Sequence, residues 1–155
     1  MLGNDLAKFA KHLEKKLLNV ERGVNYYIMA DLVNPPNSPV GDPALWKSAA
    51  LREWALATGY VGGAFKGNWQ YGLNYKPEQD LPDSIDKTGR VSIDRVVNGI
   101  NAITKVGNVH YIVNNRPYAQ KLEQGWSSQA PSGIVSPRVK FFTQTVNYVV
   151  KQVNK

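Results

Sequence analysis

The chain has 155 residues, no cysteine, and 19 Lys plus Arg against 12 Asp plus Glu, a net charge of +7. That length suits one domain of ordinary size. The lack of cysteine excludes a disulfide scaffold, a thiolate metal site and a cysteine nucleophile. No apolar run approaches the ~20 residues of a membrane helix, and Met1–Asp5 lacks the charged head and apolar stretch of a signal peptide. A chain made and kept in a cytoplasm, with no membrane partner, is the expectation. The basic balance raises non-specific affinity for nucleic acid or acidic surfaces without specifying a fold.

The first element is a helix. Leu6, Phe9, Leu13, Leu17, Val20 and Val24, with Tyr27 or Ile28 next, recur at three- and four-residue spacing, which predicts an amphipathic helix over about residues 4–33. Asn4 or Asp5 can cap it, and the opposite face carries Lys8, Lys11, Lys15, Lys16 and Arg22. Gly23 is a candidate kink. Pro35 and Pro36 are expected to end the helix, because proline cannot donate the helical hydrogen bond.

From residue 36 to residue 63 proline and glycine dominate, which reads as a long loop or arm. Trp46, Ala50 and Trp54 lie four apart inside it, so a short helix over about 44–56 is the alternative for that stretch. Phe65, Trp69, Tyr71 and Leu73 then alternate with Lys66, Asn68 and Gln70, the pattern of a half-buried strand over about 64–75. A polar loop follows from Pro77 to Asp86. Ser92 or Asp94 is the expected cap of a helix carrying Ile93, Val96, Val97, Ile100 and Ile103. Val109–Val113 reads as a second strand, closed by Asn114-Asn115, which tolerate positive φ. Pro117 opens a short helical turn through Leu122, with Gly125 suited to a left-handed cap. Residues 125–137 read as loop, and Val139, Phe142, Val146, Val149 and Val153 as a terminal helix.

Candidate chemistry is sparse. His12 and His110 show no fixed partner in the sequence and read as structural or solvated. Glu78, Asp80, Asp83 and Asp86 do not match the ligand spacing of a calcium loop and read as a solvated loop. Nothing places Asp42 and Glu123 together as a glycosidase pair. Ser127 and Ser128 lack the flanking glycines of a nucleophile elbow. Gly59-Tyr60-Val61-Gly62-Gly63 lacks the P-loop lysine. The expectation is therefore no enzyme, no cofactor and no metal. The lysine face of the first helix leaves weak, sequence-independent contact with a DNA backbone open.

Two motif groups carry a resemblance. Ser38-Pro39-Val40-Gly41-Asp42-Pro43-Ala44-Leu45-Trp46-Lys47 leads into Gly59-Tyr60-Val61-Gly62-Gly63-Ala64-Phe65. Later, Asn114-Asn115-Arg116-Pro117-Tyr118-Ala119 runs through Leu122-Glu123-Gln124-Gly125-Trp126 to Gln129-Ala130-Pro131-Ser132-Gly133. In this order, and with a helix on either side, they resemble the tailed-bacteriophage neck and tail-component family of the tail-completion, head–tail joining type. The resemblance covers nearly the whole chain. It departs at Ser48–Thr58, which reads as an insertion.

The resemblance implies a structural virion protein of the neck or proximal tail. Such a protein works as a ring, expected to be a hexamer, between other phage neck and tail proteins, with DNA passing through its channel without sequence-specific binding. The rival reading is a basic DNA-contacting accessory protein. The expected fold is α+β: a small antiparallel sheet packed with a long N-terminal helix and a C-terminal helix, in a single domain with the arm at 36–63. Candidate subunit-interface residues are Trp46, Trp54, Tyr60, Tyr118, Glu123 and Trp126. Aromatic residues are enriched at interface hot spots, while packing within the monomer is the competing role for each of them, Tyr118 included. Glu123 is left free for backbone N–H groups or for a neighbouring subunit's Lys or Arg.

Overall fold

The computed structural model describes residues 2–34 and 37–155. Pro35 and Pro36, expected to end the first helix, lie outside them. The described residues form an α+β fold of seven α-helices and two strands. In chain order these are α1 (Leu2–Val33), α2 (Ala49–Thr58), α3 (Ala64–Gly67), β1 (Trp69–Leu73), α4 (Arg90–Asn101), β2 (His110–Asn114), α5 (Ala119–Glu123), α6 (Ser136–Val139) and α7 (Phe142–Val153). None of the helices is long and apolar enough to cross a membrane.

The sheet is antiparallel, with Trp69 opposite Asn114 and Leu73 opposite His110. Helix α4 lies on β1, and the C-terminal half of α1 packs on α4. The core sits where the three meet. Met29, Leu32 and Val33 come from α1, Trp69 and Tyr71 from β1, and Val96 and Ile100 from α4, closed by Ile103, Ala130 and Ile134. The Trp69 indole N–H donates to Ser38 Oγ at 2.8 Å, and Ser38 donates in turn to the Leu32 carbonyl. A buried indole keeps its polar atom satisfied in this way.

Helix α7 runs back along α1. The α1 helix is continuous through Gly23, where a side chain would come within 2.7 Å of Val149, so the glycine admits the close approach of α7. Tyr27 and Tyr148 meet edge to face at 5.2 Å, and Lys16 Nζ donates to Asn154 Oδ1 at 3.0 Å. The far end of α7 thus lies level with Lys16. The apolar stripe of α1 is exposed at Leu17, beside that level, and continues past it through Leu13, Phe9 and Leu6, also exposed.

Several local expectations change. The strand is shorter than residues 64–75, because 64–67 form a helical turn. Gly63 opens that turn at φ 107°, and a side chain there would meet the Asp86 backbone at 2.9 Å. Both faces of the segment are covered, not one. Lys66, Asn68 and Gln70 are buried, with Asn68 Nδ2 donating to Asp80 at 2.7 Å and Gln70 Nε2 to the Gln79 carbonyl at 2.7 Å.

Helix α4 is capped neither by Ser92 nor by Asp94. The Asp86 carboxylate accepts the backbone N–H groups of Gly89 (2.7 Å) and Ser92 (3.1 Å), while the Ser92 hydroxyl donates to the Lys66 carbonyl. Burial works to raise the Asp86 carboxyl, but these bonds and those from Thr88 outweigh it and hold it below the ordinary range. The positive φ falls at Asn74 (61°), not at Asn114-Asn115. Those two residues bridge instead, Asn114 Nδ2 donating to the Phe65 carbonyl and Asn115 Nδ2 to those of Pro77 and Gln79. The loop expected at 125–137 ends in α6, which takes up Val139.

Candidate functional site: an aromatic cleft

The arm is a folded structure in its own right. Asp42 Oδ1 accepts from the Ala44 N–H at 2.9 Å and caps a single 3-10 turn over Pro43–Leu45. Ser48 Oγ caps α2 by accepting from the Leu51 N–H, as a serine at that position commonly does. The Arg52 guanidinium donates back to the carbonyl of Trp46. Gly59 ends α2 in the left-handed region (φ 63°), and the Tyr60 N–H returns to the Ala55 carbonyl at 2.9 Å. The stretch read as an insertion is thus α2 with its cap, and the helix sits a few residues later than 44–56.

This geometry gathers the aromatic residues of the arm. The Tyr60 ring lies 5.2 Å from Trp46 and 6.0 Å from Trp54. Across from them stand Phe65, Tyr118, Leu122 and Trp126, set by the turn into α5 and by Gly125 at φ 78° just beyond it. Between the two walls runs a cleft with two adjoining lobes, of about 540 and 640 Å³, which share Trp46, Trp54 and Leu122. Gln129 Nε2, donating to the Val40 carbonyl at 3.3 Å, ties the walls together at one end.

Five of the six expected interface residues therefore meet in one place: Trp46, Trp54, Tyr60, Tyr118 and Trp126. They differ in how far they are committed to the monomer. Tyr118 packs on the core, its ring 6.3 Å from that of Phe65. Trp46 and Tyr60 are half-buried, and burial raises the Tyr60 hydroxyl above its ordinary range. Trp54 is 51% exposed and Trp126 72%.

Glu123 stands apart. Its carboxylate accepts the N–H groups of Ile134 (2.9 Å), Val135 (2.8 Å) and Ser136 (2.8 Å), and so caps α6. Burial pushes this carboxyl up, but the Ser136 hydroxyl and those N–H groups prevail and hold it low. Of the two uses expected for Glu123, the structure fills the bonding to backbone.

The charged groups on the cleft are cationic. Arg116 lies 5.3 Å above the Tyr118 ring and pairs with Asp80 at 3.1 Å; Lys121 lies 5.3 Å from the Trp126 ring; Lys47 joins them on the rim. Aromatic and aliphatic walls under a cationic rim suit an apolar surface with acidic edges. Sequence reasoning missed this rim. A lysine on a short helix five residues before an aromatic, as Lys121 is before Trp126, is the signal present in the sequence.

A second polar cluster was also missed. His110 Nε2 lies 2.8 Å from Glu21 Oε1, and His110 Nδ1 lies 2.7 Å from the Tyr71 hydroxyl. The tautomer with its proton on Nε2 satisfies both contacts. Burial raises the Glu21 carboxyl, but Asn108, His110 and the Gly107 N–H hold it low. The Tyr71 hydroxyl is pushed up to about 12 by burial and by the Glu21 charge, so it stays a donor. The chain Glu21–His110–Tyr71 bolts α1 to both strands. Its members lie up to 89 residues apart, so no local motif announces it. The acidic cluster is dispersed: Asp80 serves Arg116 and Asn68, and Asp86 serves α4.

Comparison of the chain with protein-family models, with curated proteins and with solved structures finds no match.

Proposed function

We propose that this chain is a structural assembly protein of a tailed-phage virion, a neck or tail-completion component that forms a ring and joins head to tail around the DNA channel. The observation that carries the reading is the cleft. Its walls come from the two motif groups that bear the family resemblance, Trp46 and Tyr60 from the first, Tyr118 and Trp126 from the second. Large exposed aromatic side chains beside half-buried ones mark a surface made for protein contact.

In this reading other neck and tail proteins stack on the ring, and DNA passes through it without sequence-specific contact. The test is removal of the chain from the phage genome, followed by electron microscopy. The expected result is full heads and separate tails, with the neck density missing. Particles that join and infect without the chain overturn the reading.

One observation favours a second reading. Lys8, Lys11 and Lys15 share an exposed face on the part of α1 that stands clear of the body, which suits contact with a DNA backbone. Binding of a DNA duplex by the purified protein that weakens steeply with salt supports that role, and the absence of binding at low salt removes it.

A further inference from the structure

Among the described residues, two of the exposed apolar surfaces complement each other. One is the stripe Leu6, Phe9, Leu13 and Leu17 on α1, which begins level with the end of α7 and runs on beyond it. The other is the aromatic cleft. We infer that the projecting half of α1 of one copy seats its stripe in the cleft of the next copy, in a head-to-tail contact. The inference rests on the assembly reading in taking a second copy of this chain as the partner.

Spacing and charge carry the argument. Anchors at 6, 9, 13 and 17 are those of a helix laid in a groove. With 3.6 residues per turn, about 100° per residue, Asp5 and Glu14 flank the stripe on opposite sides, while Lys8, Lys11 and Lys15 point away from it. A helix seated by its stripe therefore brings carboxylates to the edges of a cleft rimmed by Lys47 and Lys121, and keeps its lysines clear of them. Lys16 also flanks the stripe, but its ammonium is turned to Asn154 of its own chain.

The alternative partner for the stripe, a second α1 stripe, buries only four large side chains per copy. Such a pairing also leaves the aromatic cleft uncovered. Seating the stripe in the cleft engages both open surfaces at once. Such a contact is heterologous, so every copy keeps one helix and one cleft to offer, and the series closes only as a ring.

The chain has no cysteine, so single cysteines report this contact cleanly. Leu13→Cys on α1 and Leu51→Cys on the cleft side of α2 replace exposed residues. The two full-length variants, carrying tags of different size, are mixed at high concentration and oxidised. The expected product is the mixed disulfide, with little of either homodimer. Adding Phe9→Asp to the Leu13→Cys chain is expected to cut the mixed product about tenfold. A Leu13→Cys homodimer as the main product overturns the proposal, as does a mixed yield indifferent to Phe9→Asp. So does the absence of any disulfide while circular dichroism shows both variants folded. Loss of the neck reading, through particles that join without this chain, leaves the cross-link result untouched.

Discussion

Two neighbouring stretches of the chain invert the usual rule of burial. From Gly62 to Gly72 every residue is buried, including Lys66, Asn68 and Gln70. From Pro43 to Val61 only Ala55 is buried, although Leu45, Leu51, Trp54 and Leu56 stand among those residues. In the first stretch remote polar partners make burial tolerable: Asp80, Gln79 and Ser92 meet its amides and carbonyls. In the second, local capping builds a helix whose apolar side chains find too little of their own domain to cover them. At Asn68 and Gln70 hydrogen-bond partners, more than side-chain polarity, decide what can go inside; in the second stretch apolar side chains stay exposed for want of a surface to pack on.

The hardest blow to the buried stretch is Trp69→Ala. It removes the largest buried side chain, one that is 2% exposed and bonded to Ser38, and should cost about 3–5 kcal/mol in chemical denaturation. A variant that melts with the parent protein would show that β1 does not face the core.

The reverse experiment is Lys66→Met. The Lys66 ammonium is fully buried and has no hydrogen-bond partner among the described residues. Burial lowers its pKa, with Asp86 opposing. Keeping the stem and removing the charge should stabilise the fold by about 1–3 kcal/mol. The sign of the pH dependence agrees: with a lowered folded pKa, the penalty is full below that folded value and eases as pH rises through it towards the unfolded value of about 10.4. A destabilised Lys66→Met would show that the ammonium has a favourable partner.

The legibility of these stretches follows from distance along the chain. The phase of Trp69, Tyr71 and Leu73 was readable, because period two is a local property. So was α1, from its 3.6-residue stripe. The burial of Asn68 and Gln70 was not, since their partners sit 9 to 12 residues away in an irregular loop. The helical turn at 64–67 was missed because its cause, the close approach of Gly63 to Asp86, is tertiary. At the cleft, composition pointed to the aromatic residues but could not bring Trp46 and Trp126 together. Glu123 is an expected interface residue with backbone N–H groups as its alternative partners, and only the structure shows that those of Ile134, Val135 and Ser136 take it up.

A smaller effect is expected from acid. Asp86, Glu21 and Glu123 are all held below ordinary carboxylate values by hydrogen bonds. Groups with depressed folded values contribute stability above the unfolded pKa of about 4, and lose it as pH falls through the folded value. The melting temperature should hold steady down to about pH 5 and decline below about pH 4. Asp86→Asn should lower it at neutral pH and flatten the acid decline. An unchanged acid limb would remove Asp86 from the account.

The smallest effect belongs to the arm. Leu56→Ser alters a side chain that is 81% exposed, and should change the stability of the free protein by no more than about 0.5 kcal/mol. A loss of several times that size would mean that the arm is packed in solution, and the contrast between the two stretches would fail.

The long first helix has a mechanical consequence. Among the described residues only its second half is clamped, by α4 and α7, and that half supplies the costly first turns from which the rest propagates. The free part from Leu2 to Lys16 is then a stiff lever about 21 Å long. A tilt of about 10° at the clamp swings its tip by about 4 Å, given that length. The aim of the lever is set at its fulcrum, where Gly23 lets Val149 come close. A bulkier residue at position 23 would re-aim the tip without touching any side chain that the tip presents.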